Sequence, residues 1–177
     1  MKKTSLFVLP LILAAVFAAS VDAHEPTTSP KKAPAPIPHC EVPCGIYADQ
    51  MRFEMMLEDT ATIAKSIDSI SEITQAAMAG GQINKSVNQA ARWVTTKENH
   101  ATNTQHIVAQ YFLTQRIKAD KENYHKQLAA AHAVMVAAMK CKQDADPETA
   151  KTLKKTIFDL YRAYEGKEPK FHEEEKK

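Results

Sequence analysis

Two of the three cysteines stand four positions apart, in the segment His39-Cys40-Glu41-Val42-Pro43-Cys44-Gly45-Ile46-Tyr47. A C-x3-C pair alone is a weak signal, and in an exported chain its plain reading is a local disulfide, because oxidising compartments favour one. Here a histidine directly precedes the first cysteine, and Pro43 and Gly45 bend the segment into a tight hook. A proline-rich stretch of the kind removed in processing lies just upstream. A cut between Pro38 and His39 would bring a new α-amine, the backbone nitrogen of Cys40 and both sulfurs within one turn of chain. The amine and the next amide nitrogen close one chelate ring, and Cys40 Sγ closes the adjacent one. Cys44 Sγ returns through the Pro43 turn to the fourth corner. Such an N2S2 set is square planar, which suits Ni(II) or Cu(II) and not the tetrahedral preference of zinc. The His39 imidazole is placed to reach an axial position.

The segment resembles the metal hook of nickel-containing superoxide dismutases, whose pattern is H-C-x-x-P-C-G-x-Y at the mature N-terminus. His39, Cys40, Pro43, Cys44, Gly45 and Tyr47 all match it. The resemblance continues more weakly through the helical remainder, to about residue 165. It implies dismutation of superoxide to dioxygen and hydrogen peroxide through a Ni(II)/Ni(III) cycle, with one nickel ion per subunit. It also implies that the His39 amine and imidazole, the Cys40 amidate and thiolate and the Cys44 thiolate hold the metal. Tyr47 would stand beside the open face and limit what approaches; its other reading is a packing residue at the start of a helix. Glu54 is the nearest candidate for the glutamate that supports the axial histidine, one residue closer to the tyrosine than in some members. A basic residue after a Lys-Glu-x run often completes that contact, and here Lys97-Glu98-Asn99 is followed by His100. The third hook position is commonly Asp, and here it is Glu41.

The leader departs further from the family. Lys2-Lys3, the apolar run Leu6–Ala19 and Val21-Asp22-Ala23 read as a signal peptide over residues 1–23. The run is shorter than the roughly 20 residues a membrane span needs, so no stable membrane anchor is expected. Residues 24–38 hold five prolines in fifteen positions and read as an extended spacer or pro-segment. Export to the periplasm or the outside is therefore expected, and so is a protease that makes the second cut.

The elements that must carry the hook are helical. From Ala48 to Asp146 there is no proline, and the only glycines are the pair Gly80-Gly81. This excludes an all-β domain, and no Val/Ile runs suggest a parallel sheet. The predicted fold class is all-α, an up-down-up-down four-helix bundle over residues 48–165 behind the hook at 39–47, with a charged, frayed tail at 166–177. Asp49 would cap a first helix from about Gln50 to Ala79, with Ile63, Ile67, Ile70 and Met78 inward. Asn84 would cap a second to about Lys118, with Val87, Ala91, Val94, Ala101, Val108 and Phe112 on one side. A third runs from about Lys121 to Lys142 on Tyr124, Leu128, Ala131, Met135 and Ala138. Asp146-Pro147 starts a fourth, with Leu153, Ile157, Leu160 and Tyr164, to about Glu165.

After the first 38 residues the chain has 19 basic and 19 acidic residues. With no basic stripe, nucleic acid is not an expected partner. Superoxide is, and so is a homo-oligomer, a hexamer by resemblance. The remaining candidates read as structural. The Met51, Met55 cluster is most simply core filler, with a sulfur-rich copper site as the sharper alternative. Cys141 lies on the apolar stripe of the third helix. Glu122 and His125 form a single Glu-x-x-His, where a di-iron bundle needs two. His106 and His132 are lone helical histidines, His24 and His172 belong to the ends, and Lys151, Lys154 and Lys155 form a solvated face. Two rival readings stand beside the enzyme: an exported non-catalytic nickel- or copper-binding bundle, and a structural bundle with a Cys40–Cys44 disulfide.

Overall fold

The computed structural model describes residues 49–171. Four α-helices follow in order: α1 Asp49–Met78, α2 Ile83–His106, α3 Tyr124–Gln143 and α4 Pro147–Glu165. A π-helical segment, Ile107–Arg116, continues α2 without a break. No strand occurs among the described residues. Each helix packs on its neighbours in the cycle α1, α2, α3, α4 and back to α1. The predicted all-α four-helix bundle is therefore the observed architecture, and the hook lies outside the described residues.

The core follows from the apolar period of each helix. Phe53, Met56, Ile63 and Ile67 of α1 meet Val108 and Phe112, Val134 and Ala138, and Leu153, Ile157 and Leu160, all fully or almost fully buried. On α3 the inward positions are mostly small, Ala131, Val134, Ala137, Ala138 and Cys141, which lets its neighbours approach closely. The Cys141 thiol is buried as expected, and burial pushes its pKa up. The start of α4 is also as read from sequence. Asp146 Oδ1 accepts from the Glu148 backbone N–H at 2.9 Å, with Pro147 at the first helical position.

Four expectations need correction. Asn84 does not cap α2. The chain leaves α1 through Gly80 (φ +91°) and Gly81, and Gln82 is the last extended residue before the helix. Gly81 tolerates no side chain, since a Cβ there would stand 2.7 Å from the Ala76 carbonyl oxygen. Asp49 is the first residue of α1, and its carboxylate is turned across the bundle instead of capping. Met51, Met78, Val87, Ala91 and Val94 are exposed, not core. The tail is not frayed as far as Phe171, which is buried against Phe158 and Tyr161.

The exposure of Met78, Val87 and Val94 follows from unequal helix lengths. α1 has 30 residues, about 45 Å, while α3 and α4 have 20 and 19, about 30 Å each. The α3 end lies at the level of Lys97, and the α4 start lies beside Ala64 and Asp68. Beyond those levels no third helix among the described residues covers the α1–α2 hairpin.

Lys97 itself is a buried amine. Its Nζ donates to the Lys142 and Asp144 carbonyls at 2.9 and 3.0 Å, and also to that of Cys141. These are orphan acceptors at the C-terminus of α3, where the helix dipole favours a cation. Lys97→Met is expected to lower stability by about 2–4 kcal/mol, because three carbonyls lose their donor, that of Cys141 in a buried position and those of Lys142 and Asp144 in partly buried ones. Denaturant unfolding monitored by circular dichroism measures it, and a loss below about 0.5 kcal/mol would contradict the clamp.

Candidate metal centre

His39, Cys40, Cys44 and Tyr47 all lie outside the described residues, as do the leader and the proposed cut. What the structure gives is the ground the hook grows from. Asp49, two residues after Tyr47, opens α1 and is tied to three side chains from elsewhere. Tyr111 Oη donates to its Oδ1 at 2.5 Å, while Arg116 Nη2 and Tyr164 Oη donate to its Oδ2 at 2.8 and 2.7 Å.

The π-helical segment makes this node possible. Residues five apart do not share a face on an α-helix, yet Tyr111 and Arg116 both reach one carboxylate. The segment is wound with i to i+5 bonds: the Ile117 backbone N–H donates to the Phe112 carbonyl at 2.8 Å. Thr114 Oγ1 and Gln115 Nε2 donate to the carbonyls of Ala109 and Gln110. The wider turn brings the phenol and the guanidinium to the same side.

Beneath the node is an aromatic box. The Phe53 ring lies 4.7 Å from Phe112, 5.0 Å from Tyr161 and 6.1 Å from Tyr164, centroid to centroid, with Phe171 closing the far side at 6.5 Å. Two guanidinium groups flank Tyr111: Arg52 lies 5.1 Å and Arg116 5.8 Å from its ring centre. Gln50 Nε2 donates to Glu54 Oε1 at 3.0 Å and to the Lys170 carbonyl at 3.1 Å, and its Oε1 accepts from Tyr161 Oη at 3.3 Å. The first two turns of α1 are thereby bound to the π-helical segment, to α4 and to the chain after it.

Charge at the node is set by these bonds. Burial alone would raise the Asp49 pKa, but the hydrogen bonds from Arg116, Tyr111 and Tyr164 outweigh it, and the net shift is downward. Burial, then the bond to Asp49, pushes Tyr111 and Tyr164 each up from 10.0 to about 12. The hydrogen bond to Asp49 raises Arg116 further. Two pH limits follow. The depressed Asp49 adds stability above its unfolded pKa, lost as pH falls through the folded value. The raised tyrosines add stability that is complete below pH 10 and lost as pH rises through about 12. Thermal midpoints against pH should fall at both edges. In Asp49→Asn the acid-side loss attributable to this group should disappear, and phenolate absorbance should rise at lower pH than in the wild type. An unchanged phenolate titration would contradict the node.

Of the sequence-derived site residues in the described region, Glu54 is half-buried in the second turn of α1, near the hook root. His100 is not joined to it. Its Nδ1 lies 2.7 Å from Oδ1 of Asp59, about 7.5 Å further along α1 than Glu54. Buried Asp59 also accepts from Asn103 Nδ2 at 2.8 Å and Thr104 Oγ1 at 3.2 Å. Sequence reasoning missed Asp59, since an acidic residue in mid-helix reads as solvated. It also missed Tyr111, Arg116 and Tyr164 as a group, and no pattern of helical period joins them. Glu122, His125, His106 and His132 are exposed, as are Lys151, Lys154 and Lys155.

Within the described residues no group of three or more His, Cys, Asp or Glu side chains could hold a metal. Their one cysteine, Cys141, is fully buried with its thiol pKa raised. The other two of the three cysteines, Cys40 and Cys44, stand four positions apart in sequence, with His39 adjoining them and Asp49 five residues on. Two thiolates with nitrogen donors are a soft set that fits nickel. No helix among the described residues is long and apolar enough to cross a membrane. Neither a curated protein nor a solved structure matches the chain. A family model described as nickel-containing superoxide dismutase matches residues 31–168, which include the whole hook.

Proposed function

Because this chain belongs to the nickel-containing superoxide dismutase family, we propose that residues 39–47 are the hook that holds its metal. The chain is an oxidoreductase, its cofactor is nickel and its substrate is superoxide. Two superoxide anions and two protons yield one dioxygen and one hydrogen peroxide. The observation that carries the site assignment is a family match running through a segment in which six hook residues fit the motif.

In this reading the His39 amine and imidazole, the Cys40 amide nitrogen and thiolate and the Cys44 thiolate hold one nickel ion per subunit. The bound metal supplies a one-electron couple, Ni(II)/Ni(III), able both to accept an electron from superoxide and to return one. The residues supply the rest. Cys40 and Cys44 provide the anionic donors, and the Cys40 amide gives up its proton to become one. Glu54 orients the His39 imidazole. Tyr47 excludes larger molecules and holds its proton at Oη beside the approaching anion. Asp49 and the aromatic box fix the base from which the hook projects.

The leader acts before the chemistry. Residues 1–23 direct export, to the periplasm or the outside, and residues 24–38 are a spacer removed by a protease at Pro38-His39. That cut creates the α-amine ligand. Residues 48–165 form the body, and the mature chain assembles as a homo-oligomer, a hexamer by family resemblance. One sample tests the reading: mature protein from its native host, measured for N-terminal residue, nickel content and superoxide consumption. His39 at the N-terminus with nickel and turnover is expected. His24 at the N-terminus without nickel would overturn it, and nickel without turnover would favour a non-catalytic binder.

A further inference from the structure

From Asp68 on α1 to Thr96 on α2 the hairpin contains no buried residue. One side of this projection is nevertheless apolar. Ile83, Val87 and Val94 are 67, 63 and 41 % exposed, and Met78 at the adjoining end of α1 is 84 % exposed. Positions 83, 87 and 94 share one side of α2, about 17 Å long, continuous with the side that carries buried Ala101 and Val108 further on. The two cations of this stretch, Lys85 and Arg92, each stand two positions from a stripe residue and so lie on the opposite side of the helix. The stripe itself is uncharged, as the centre of a protein interface is.

We propose that this side of α2 is a self-association surface, covered by α2 of a second copy lying antiparallel about a two-fold axis. In such a contact residue i meets j and j meets i. Setting Val87 opposite the partner's Val94 places the axis between residues 90 and 91, and the same register sets Ile83 opposite the partner's Glu98. That pairing is electrostatically complementary. The start of α2 has no acidic residue in its first turn, and Gln82 makes no side-chain cap. Its orphan N–H groups and partial positive charge are thus unmet by any side chain of its own first turn. The Glu98 side chain is 40 % exposed, and its cationic neighbour among the described residues, Lys97 Nζ at 4.0 Å, is committed to the α3 carbonyls. Each copy therefore offers a carboxylate where the other lacks one.

The surface rests on the homo-oligomer reading above and gives that assembly one of its contacts. The test uses the mature, nickel-loaded protein in sedimentation velocity. Val87→Glu is expected to reduce the assembled mass to half or less, with helical circular dichroism and bound nickel unchanged. A second variant checks the register. Val87→Cys with Val94→Cys should form a disulfide-linked dimer on oxidation, whereas either substitution alone should not. In the single variants the like positions of the two copies are offset by about 10 Å along the helices, beyond disulfide reach. A wild-type monomer would overturn both the assembly and this surface. An assembled wild type with an equally assembled Val87→Glu, or no cross-link in the double variant, would overturn this surface and leave the assembly standing.

Discussion

Cys44→Ser, and Cys40→Ser with it, should abolish superoxide consumption and cut nickel retention by more than about 100-fold, while helical circular dichroism stays that of the wild type. The lower bound follows because changing even a residue behind a metal ligand costs about 10–100-fold, and these cysteines are the proposed ligands themselves. A thiolate is a soft anion at neutral pH, and a serine hydroxyl is neutral and hard, so the substitution removes both a charge and the donor type that suits nickel. The fold should be indifferent, because the described core side chains from Phe53 to Leu160 form one cluster packed on one another. One extra residue before His39 should have the same effect with both cysteines intact, since it turns the terminal amine into an amide. A structural disulfide predicts the reverse, with tolerance of the extension and loss of stability in the serine variants. Metal analysis, activity and unfolding on the same three variants separate the two. Retained activity in any of them would contradict the mechanism.

Asp49→Ala should lower global stability by about 2–4 kcal/mol. It strips three donors of one acceptor, two of them tyrosine hydroxyls whose pKa values are already raised by burial, and leaves a guanidinium unpaired. The figure stays below that for breaking a fully buried pair because the Arg116 side chain is 37 % exposed and water can replace part of what it loses. Against a total of roughly 5–15 kcal/mol this is a large fraction. The loss should also reach the metal. Asp49 lies two residues from Tyr47, so nickel should dissociate faster from Asp49→Ala than from Lys97→Met, even if the two lose equal stability. Equal nickel off-rates would mean that the node supports the bundle and not the hook.

The sequence reading succeeded wherever one residue type has one local consequence. Asp146-Pro147 starts α4, Gly80-Gly81 ends α1, and the period of Ile63, Ile67, Leu153 and Ile157 points inward as observed. It failed where the outcome depends on lengths or distant partners. Val87 and Val94 repeat at core spacing, but whether a face is covered depends on how far α3 and α4 extend, which no residue of α2 records. Nothing local in the sequence marks Lys97 and Asp59 as buried, because their partners are 44 to 47 and 41 to 45 positions away. The π-helical segment escaped because a period of 3.6 was assumed throughout, while Tyr111 and Arg116 obey another. The family was legible in the nine consecutive residues of the hook segment, whereas the groups gathered around Asp49 were not.

That support has an order of assembly written into it. Gln50 is bonded to the carbonyl of Lys170, 120 positions on, and Asp49 to Tyr164, 115 positions on. The beginning of α1 is therefore among the first parts of the body to be synthesised and among the last to be finished. Contacts that close such long loops form late, after the entropy of bringing distant segments together has been met. A ribosome that has just released the hook has yet to make the residues that steady it. Truncation by only a few residues before Phe171 should thus be felt at the start of α1, whose bonds are complete only once the chain has been made as far as Lys170.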